Sequence, residues 1–231
     1  MSDHKKKLLK ALIIGKPNVG KSTLINFLVG EKVSIVSRKA QTTQKNTTGV
    51  VTKNDSQLIF FDTPGLNRVG KNVRISETFL AVAENVDVVI YMVDNRKKSQ
   101  SIDNQFSAWL KNNDNKIKKK ILLVNKIDCI EKVNLFEITK KLNEIISFDE
   151  TFFISVTKES GTENFIKWID KQAYSNEWLF DKNYKSNVGE KKFLSELTRE
   201  KIFEYIHEEI PYNLEIKTDY IEQSGKKSMK V

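Results

Sequence analysis

The sequence predicts an α/β doubly wound fold, a mostly parallel sheet with helices on both faces, and two observations carry that prediction. Four short apolar runs recur at similar intervals and each ends in a polar residue: Leu58 to Phe61 before Asp62, Val88 to Val93 before Asp94, Ile121 to Val124 before Asn125, and Phe152 to Ile154 before Ser155. Between them lie segments of mixed character, long enough for crossover helices, and this alternation is the signature of βαβ units.

In chain order, the run Leu8 to Ile14 comes first and leads into Gly15. A helix is expected over Thr23 to Val29, with Gly30 as its C-terminal cap. The later runs read as parallel strands because they are apolar throughout, as strands covered on both faces must be. Ser76 to Glu84, Asp103 to Leu110, Asn134 to Ile146 and Thr162 to Gln172 supply the crossover helices. In such sheets ligands bind beyond the carboxyl ends of the strands, where the polar residues just named stand.

After Gln172 the pattern changes. Residues 173–189 interleave Trp178, Leu179, Phe180 and Tyr184 with small polar residues, which suits a connecting segment that packs against something. Phe193 to Glu209 then reads as a helix ended by Pro211. Leu214 to Ile221 alternates apolar and polar residues, as one strand of a pair would, and Gly225 precedes a last short segment, Ser228 to Val231.

Composition narrows the function class. The chain has 231 residues, 39% of them hydrophobic, enough for one well-packed domain and a smaller appendage. Cys129 is the single cysteine, so no internal disulfide can form. No apolar run approaches the roughly 20 residues needed to cross a bilayer, and Met1 to Lys10 lacks the long apolar stretch of a secretory signal. A cytoplasmic protein is expected. The net charge is +9, and residues 173–231 hold 10 Lys and Arg against 11 Asp and Glu, so the basic excess lies in residues 1–172. Its clusters are His4 to Lys7, Lys39 to Lys45 and Lys116 to Lys120; the excess suits a polyanionic partner, while the last cluster reads as a solvated loop before a strand and needs none.

The chemistry begins at Gly15-Lys16-Pro17-Asn18-Val19-Gly20-Lys21-Ser22, two glycines five apart followed by Lys and Ser. A chance match in a chain this long has a probability on the order of one per cent, and the flanking strand and helix are the required context. The glycines let backbone N–H groups of Gly15, Asn18, Val19, Gly20, Ser22 and Thr23 turn toward phosphates at a helix N-terminus, where the helix dipole favours anions. Lys21 is expected on the β- and γ-phosphates, and Ser22 on Mg2+, a hard cation that prefers oxygen. Asp62-Thr63-Pro64-Gly65 follows a buried run at the same end; taken alone it would be a plain turn. Here Asp62 is expected to hold Mg2+ through water. Gly65 can offer its N–H to the γ-phosphate and re-aim when that phosphate leaves.

Asn125-Lys126-Ile127-Asp128 specifies the base. Guanine presents an N1–H and an exocyclic amine side by side, and the Asp128 carboxylate can accept both. Adenine would leave that charge unpaired, so discrimination of about four to five orders of magnitude is expected. Asn125 should brace the loop and Lys126 lay its stem along the base. Ser155-Val156-Thr157 lies where a backbone N–H could meet the guanine O6. The expected ligands are therefore GTP or GDP with Mg2+ on a P-loop GTPase.

These motifs resemble the Era family of translation-factor-related GTPases over nearly the whole chain. The resemblance rests on Gly15 to Asn26, Ser37-Arg38-Lys39-Ala40-Gln41-Thr42-Thr43, Asp62 to Leu66 and Asn125 to Asp128, and on Trp178-Leu179, Arg199 to Ile202 and Glu209 to Tyr212, which look like the junction into a C-terminal KH domain. It implies that Thr43, with Thr42 as the alternative, contacts Mg2+ and the γ-phosphate, and that Asn18 helps coordinate K+. It implies a catalytic set of Lys21, Thr43 and Gly65, with Leu66 where many GTPases carry a water-orienting glutamine. It implies small ribosomal subunit maturation through ribosomal RNA, with domains at 1–172 (GTP-binding), 173–189 (connecting) and 190–231 (a partial α+β KH-like segment).

The sequence departs from the family at one point. KH domains clamp about four nucleotides with a Gly-x-x-Gly loop, and nowhere in this sequence do two glycines stand three apart. Weaker binding of single-stranded RNA than that of a full-length relative is therefore expected. The alternative reading is a GTP-gated module at the inner membrane surface, or a shortened form that only titrates partners; a monomer is the default. His4 and His207 lack the neighbours of a metal site. Cys129 is expected as a small packing residue, Trp109 and Trp168 as core, and Trp178 as packing between domains.

Overall fold

The computed structural model describes residues 5–34, 47–62, 67–69, 72–74, 77–94, 104–113, 117–129, 132–205, 214–223 and 229–230. In chain order its elements are β1 (Lys7–Ile14), α1 (Lys21–Val29), β2 (Thr47–Lys53), β3 (Ser56–Asp62), the small hairpin β4 (Asn67–Val69) and β5 (Asn72–Arg74), α2 (Glu77–Ala83), β6 (Val88–Asp94), α3 (Asn104–Asn112) and β7 (Lys119–Asn125). A single 3-10 turn (Ile127–Cys129), α4 (Lys132–Ile145), β8 (Glu150–Phe153), α5 (Thr162–Lys171), β9 (Tyr174–Ser175), α6 (Glu190–Tyr205), β10 (Glu222–Gln223) and β11 (Met229–Lys230) complete it.

The main sheet runs β2-β3-β1-β6-β7-β8, with β9 also pairing β1. Neighbours from β3 to β8 are parallel, while β2 runs antiparallel to β3. The chain moves outward from β1 to β3 on one side and from β6 to β8 on the other. The strand order therefore reverses at β1, whose carboxyl end is the crevice where ligands of such sheets bind. All five expected strands are present. The sixth, β2, escapes the apolar-run criterion because its sequence, TTGVVTK, is half polar; it forms by hairpin closure through Asn54-Asp55, with Asn54 at φ 52°.

Side chains alternate across the sheet and divide the core into two layers. Leu9, Ala11 and Ile13 of β1 pack with Leu24 and Ile25 of α1 and with Phe165 and Ile169 of α5. Leu12 and Ile14 point the other way, onto Phe79, Phe106, Leu110 and Leu142 of α2, α3 and α4. Every residue of β6 is buried, as a central strand covered on both faces requires. Burying each such Leu, Ile or Phe contributes about 1.5–3 kcal/mol. Trp109 lies in the core as expected, whereas Trp168 is half-buried and packs against the other core layer, the one beneath α1 and α5. Among the described residues no helix is long and apolar enough to cross a membrane.

The segment after β9 is fastened to the sheet. Buried Gln57 donates to Phe180 O at 2.9 Å and to Thr52 Oγ1 at 3.1 Å, while its Oε1 accepts the N–H groups of Leu179 at 2.9 Å and Phe180 at 3.1 Å. Phe180 and Tyr184 stack at 4.4 Å and pack against Leu8, Val50 and Ile59. Along β2, Val50 N–H donates to Lys185 O at 2.8 Å and Thr48 N–H to Asn187 Oδ1 at 2.9 Å, so residues 185–187 cover the edge strand. Trp178 donates from Nε1 to Asp55 O at 3.2 Å, which places it on the β2–β3 turn.

Two expectations change here. Leu214 to Ile221 is not a strand: Leu214, Ile216 and Thr218 are half-buried and Glu215, Lys217 and Asp219 exposed, yet no neighbouring strand pairs with them. Ser195 Oγ meets Thr218 Oγ1 at 2.8 Å and Lys191 Nζ donates to Asp219 O at 2.6 Å, so side chains of α6 hold this stretch where a ladder was expected. Among the described residues of this segment, pairing occurs between β10 and β11. Cys129 is exposed, because the 3-10 turn that carries it buries none of its residues. The cluster Lys116 to Lys120 is partly neutralised within the chain, Lys118 by Asp87 at 2.8 Å and Lys119 by Asp149 at 3.0 Å.

Candidate active site

The loop between β1 and α1 has room only for glycine at both of its conserved-pattern ends. A Cβ on Gly15 would lie 2.2 Å from the Met92 carbonyl of β6, and one on Gly20, at φ 106°, would lie 2.4 Å from Asn125 Nδ2. Val19 between them is an anchor, its side chain buried in the core layer under α1. Gly20 starts α1 without a side-chain cap, and Thr23 is half-buried in the first turn, so the helix presents its N-terminal N–H groups to the crevice.

Lys21 and Asp62 meet beneath this loop. Lys21 is buried and curls back so that Nζ donates to Gly15 O at 3.0 Å and Lys16 O at 3.3 Å. Burial pulls its ammonium below the ordinary lysine range, and neighbouring Asp62 opposes that shift. Asp62 is fully buried; burial pushes its carboxyl above the ordinary range, against the pull of Lys21 and Ser22. Ser22 Oγ donates to Asp62 Oδ2 at 2.8 Å, while Asp62 Oδ1 is buried with no hydrogen-bond partner. An orphaned carboxylate oxygen beside a hydroxyl, at a helix N-terminus, is a donor set that fits a hard, oxygen-seeking cation.

The loop after β7 is tied to the loop between β1 and α1. Asn125, at the end of β7, donates from Nδ2 to Val19 O at 2.8 Å and accepts the Val156 N–H on Oδ1 at 3.2 Å. One buried side chain thus spans three loops. Lys126, at φ 61°, ion-pairs with Asp94 Oδ2 at 2.7 Å and donates to the carbonyl of Asn18, itself at φ 66° and exposed. Asp128 is exposed and held below the usual carboxylate range, first by the Ser155 hydroxyl and also by Cys129 and Lys158. The Ser155 hydroxyl is buried and closes no hydrogen bond of full geometry. The Val156 N–H is engaged by Asn125 and the Ser155 N–H by Ser160 O at 2.9 Å, which makes Val156 a brace and leaves the Thr157 N–H as the next one in the loop.

The structure therefore gathers Gly15, Asn18, Val19, Gly20, Lys21, Ser22, Thr23, Asp62, Asn125, Lys126, Asp128, Ser155 and Val156 at one edge of the sheet. Thr42, Thr43, Gly65 and Leu66 lie outside the described residues. Two residues were missed. Asn26 on α1 donates to Ser34 O at 2.7 Å and accepts the N–H groups of Val33 at 2.9 Å and Ser34 at 2.8 Å, fixing the chain as it leaves the helix. Asp94 pairs Lys126, and its only signal was its place as the polar end of an apolar run.

Comparison with known proteins fits this geometry. The profile of the 50S ribosome-binding GTPase family matches residues 10–126. The GTPase Era of Brucella suis biovar 1 is 31% identical over 221 residues, covering 95% of this chain and 70% of that protein. The chain belongs to the Era family of GTPases. An Era variant of Aquifex aeolicus solved with GDP·AlF4− superposes with a TM-score of 0.81 at 30% identity, over 94% of this chain and 74% of that one. Era in complex with MgGDPNP and nucleotides 1506–1542 of 16S ribosomal RNA gives a TM-score of 0.77 at 30% identity, over 95% and 74%. As an Era-family GTPase the chain takes GTP as substrate and releases GDP and phosphate.

Proposed function

We propose that the chain is a GTP-operated switch that acts on small-subunit ribosomal RNA in the cytoplasm. The observation that carries this reading is the span of Asn125 from the Val19 carbonyl to the Val156 N–H, which holds the phosphate grip and the base reader in one frame. In that frame the backbone N–H groups of Gly15, Asn18, Val19, Gly20, Ser22 and Thr23 face the phosphates, Lys21 leaves the Gly15 and Lys16 carbonyls for the β- and γ-phosphates, and Asp128 accepts the guanine N1–H and amine. Phosphate charge beside Lys21 favours its ammonium form, reversing the effect of burial.

Ser22, Asp62 and Thr43 would hold Mg2+, which when bound spreads the charge developing on the transferred phosphoryl group. Gly65 would follow the γ-phosphate with its N–H, and the exposed amide of Asn18 would serve K+. With Leu66 at the position of a water-orienting glutamine, hydrolysis rests on electrostatic stabilisation by Lys21 and the loop N–H groups, and unassisted turnover below about one per minute follows. Residues 1–172 form the GTP-binding unit, 173–189 the connection and 190–231 a KH-like portion. The likeness to Era bound to 16S ribosomal RNA supports RNA as the partner.

Co-sedimentation tests the reading. Retention on small ribosomal subunits should change between GTP and GDP and exceed retention on anionic lipid vesicles. Retention on vesicles alone, gated by GTP, would replace ribosomal RNA with a membrane surface as the partner.

A further inference from the structure

The last residue of β6, Asp94, is joined to the loop that follows β7. The β6–β7 register sets Asp94 beside Asn125, the first residue of the base-reading loop. That places the Asp94 carboxylate within reach of the next side chain, and Lys126 Nζ lies 2.7 Å from Asp94 Oδ2. Both side chains are largely shielded from solvent, at 23% exposure for Lys126 and 12% for Asp94, so salt screens the pair less than a surface pair. The same ammonium donates to the Asn18 carbonyl in the phosphate loop.

We propose that Asp94 is a positioning residue for guanine-nucleotide binding: by clamping the Lys126 ammonium it fixes the lysine stem as one wall of the base pocket and ties that wall to the phosphate loop. This rests on the base-reading assignment given above. A lysine side chain has several rotatable bonds, and an unclamped stem must be ordered each time a nucleotide binds. The Asn18 carbonyl alone offers a neutral acceptor, and a charge-assisted bond is roughly twice as strong as a neutral one. Asn125 already joins the phosphate and base loops from below through Val19. Asp94 completes a second, charged tie on the Lys126 side, and the two ties together set the separation between phosphate and purine sites.

The test is GDP dissociation from the full chain, followed by stopped flow with a fluorescent GDP, for Asp94→Asn, Asp94→Glu, Lys126→Gln, Asp128→Asn and the Asp94→Asn/Lys126→Gln double variant. Asp94→Asn should release GDP about ten-fold faster, the size expected for losing one charge-assisted contact. Asp94→Glu, which keeps the carboxylate, should stay within about three-fold of the parent. In the double variant, dissociation should be no faster than in Lys126→Gln if the clamp on that lysine is how Asp94 affects binding. Thermal melting without nucleotide separates this from a folding defect: a purely structural role would lower Tm in Asp94→Asn and make the two substitutions additive. Parental dissociation in Asp94→Asn, or additivity in the double variant, would overturn the proposal. Parental GDP binding in Asp128→Asn would instead overturn the base-reading assignment itself. Should Asp94→Asn fail to fold, a ten-fold loss in Asp94→Glu would equally count against the clamp.

Discussion

The sheet of residues 7–175 and the stretch 214–223 both read as strands from their apolar residues, continuous runs in the first and alternation in the second, and they end up built differently. In the sheet each strand has a hydrogen-bonded neighbour, and the phosphate and base loops hang from a frame closed by backbone ladders. Residues 214–219 reproduce the alternating burial of a strand with no ladder, tethered to α6 through the Ser195 and Lys191 side chains. Patterning sets which side of a segment is buried, whereas a ladder also needs a partner delivered by the rest of the chain. Residues 176–188 fall between the two: they form no named strand but are held by backbone bonds to β2 and by the buried amide of Gln57.

The difference is sharpest for substitutions in the frame. Lys21→Ala should remove tight GDP and GTP binding, a loss of two orders of magnitude or more by calorimetry, while hydrogen exchange at 214–223 stays as in the parent. Asp128→Asn should lower guanine-nucleotide affinity by a similar factor and cost nothing in Tm, since that side chain is exposed. Parental affinity in either variant would uncouple the site from the frame.

Next in size is a pH effect. Asp62 holds its proton above the ordinary carboxyl range because it is buried, and a cation must displace that proton; Mg2+-dependent GDP affinity should therefore rise with pH through the raised value. Burial lowers the pH at which Lys21 loses its ammonium, so affinity should fall again on the alkaline side. A bell is expected in titrations of the parent, and a flat profile would contradict the buried pairing.

Gln57→Ala probes the fastened segment. Losing the contacts to Leu179 and Phe180 should cost about 2–3 kcal/mol, a fall of about 5–10 °C in Tm, with hydrogen exchange at 179–187 accelerated and GDP binding kept. Ser195→Ala should be mildest, about 0.5–1 kcal/mol, with its exchange signature confined to 214–223. A global loss of nucleotide binding in Ser195→Ala would show the two regions to be one cooperative unit.

Most of the frame was legible because it is local. Five apolar runs, their polar ends and Gly15 to Ser22 each announce themselves within a few residues. β2 was not, since its half-polar sequence is stabilised by a hairpin partner and by residues 185–187, contacts more than a hundred residues distant. Asp94 and Asn26 were missed for a related reason: an aspartate after an apolar run and an asparagine inside a helix acquire roles only when β7 and residue 34 arrive beside them. Cys129 was misplaced because a single 3-10 turn has too short a period to show which side faces solvent.

The most direct test is competition for the base pocket. With fluorescent GDP bound to the parent chain in Mg2+, GTP should displace it at concentrations roughly four orders of magnitude below those of ATP, because only guanine satisfies the carboxylate of Asp128. Displacement by ATP at concentrations comparable to GTP would mean that the loops gathered at this edge do not read guanine.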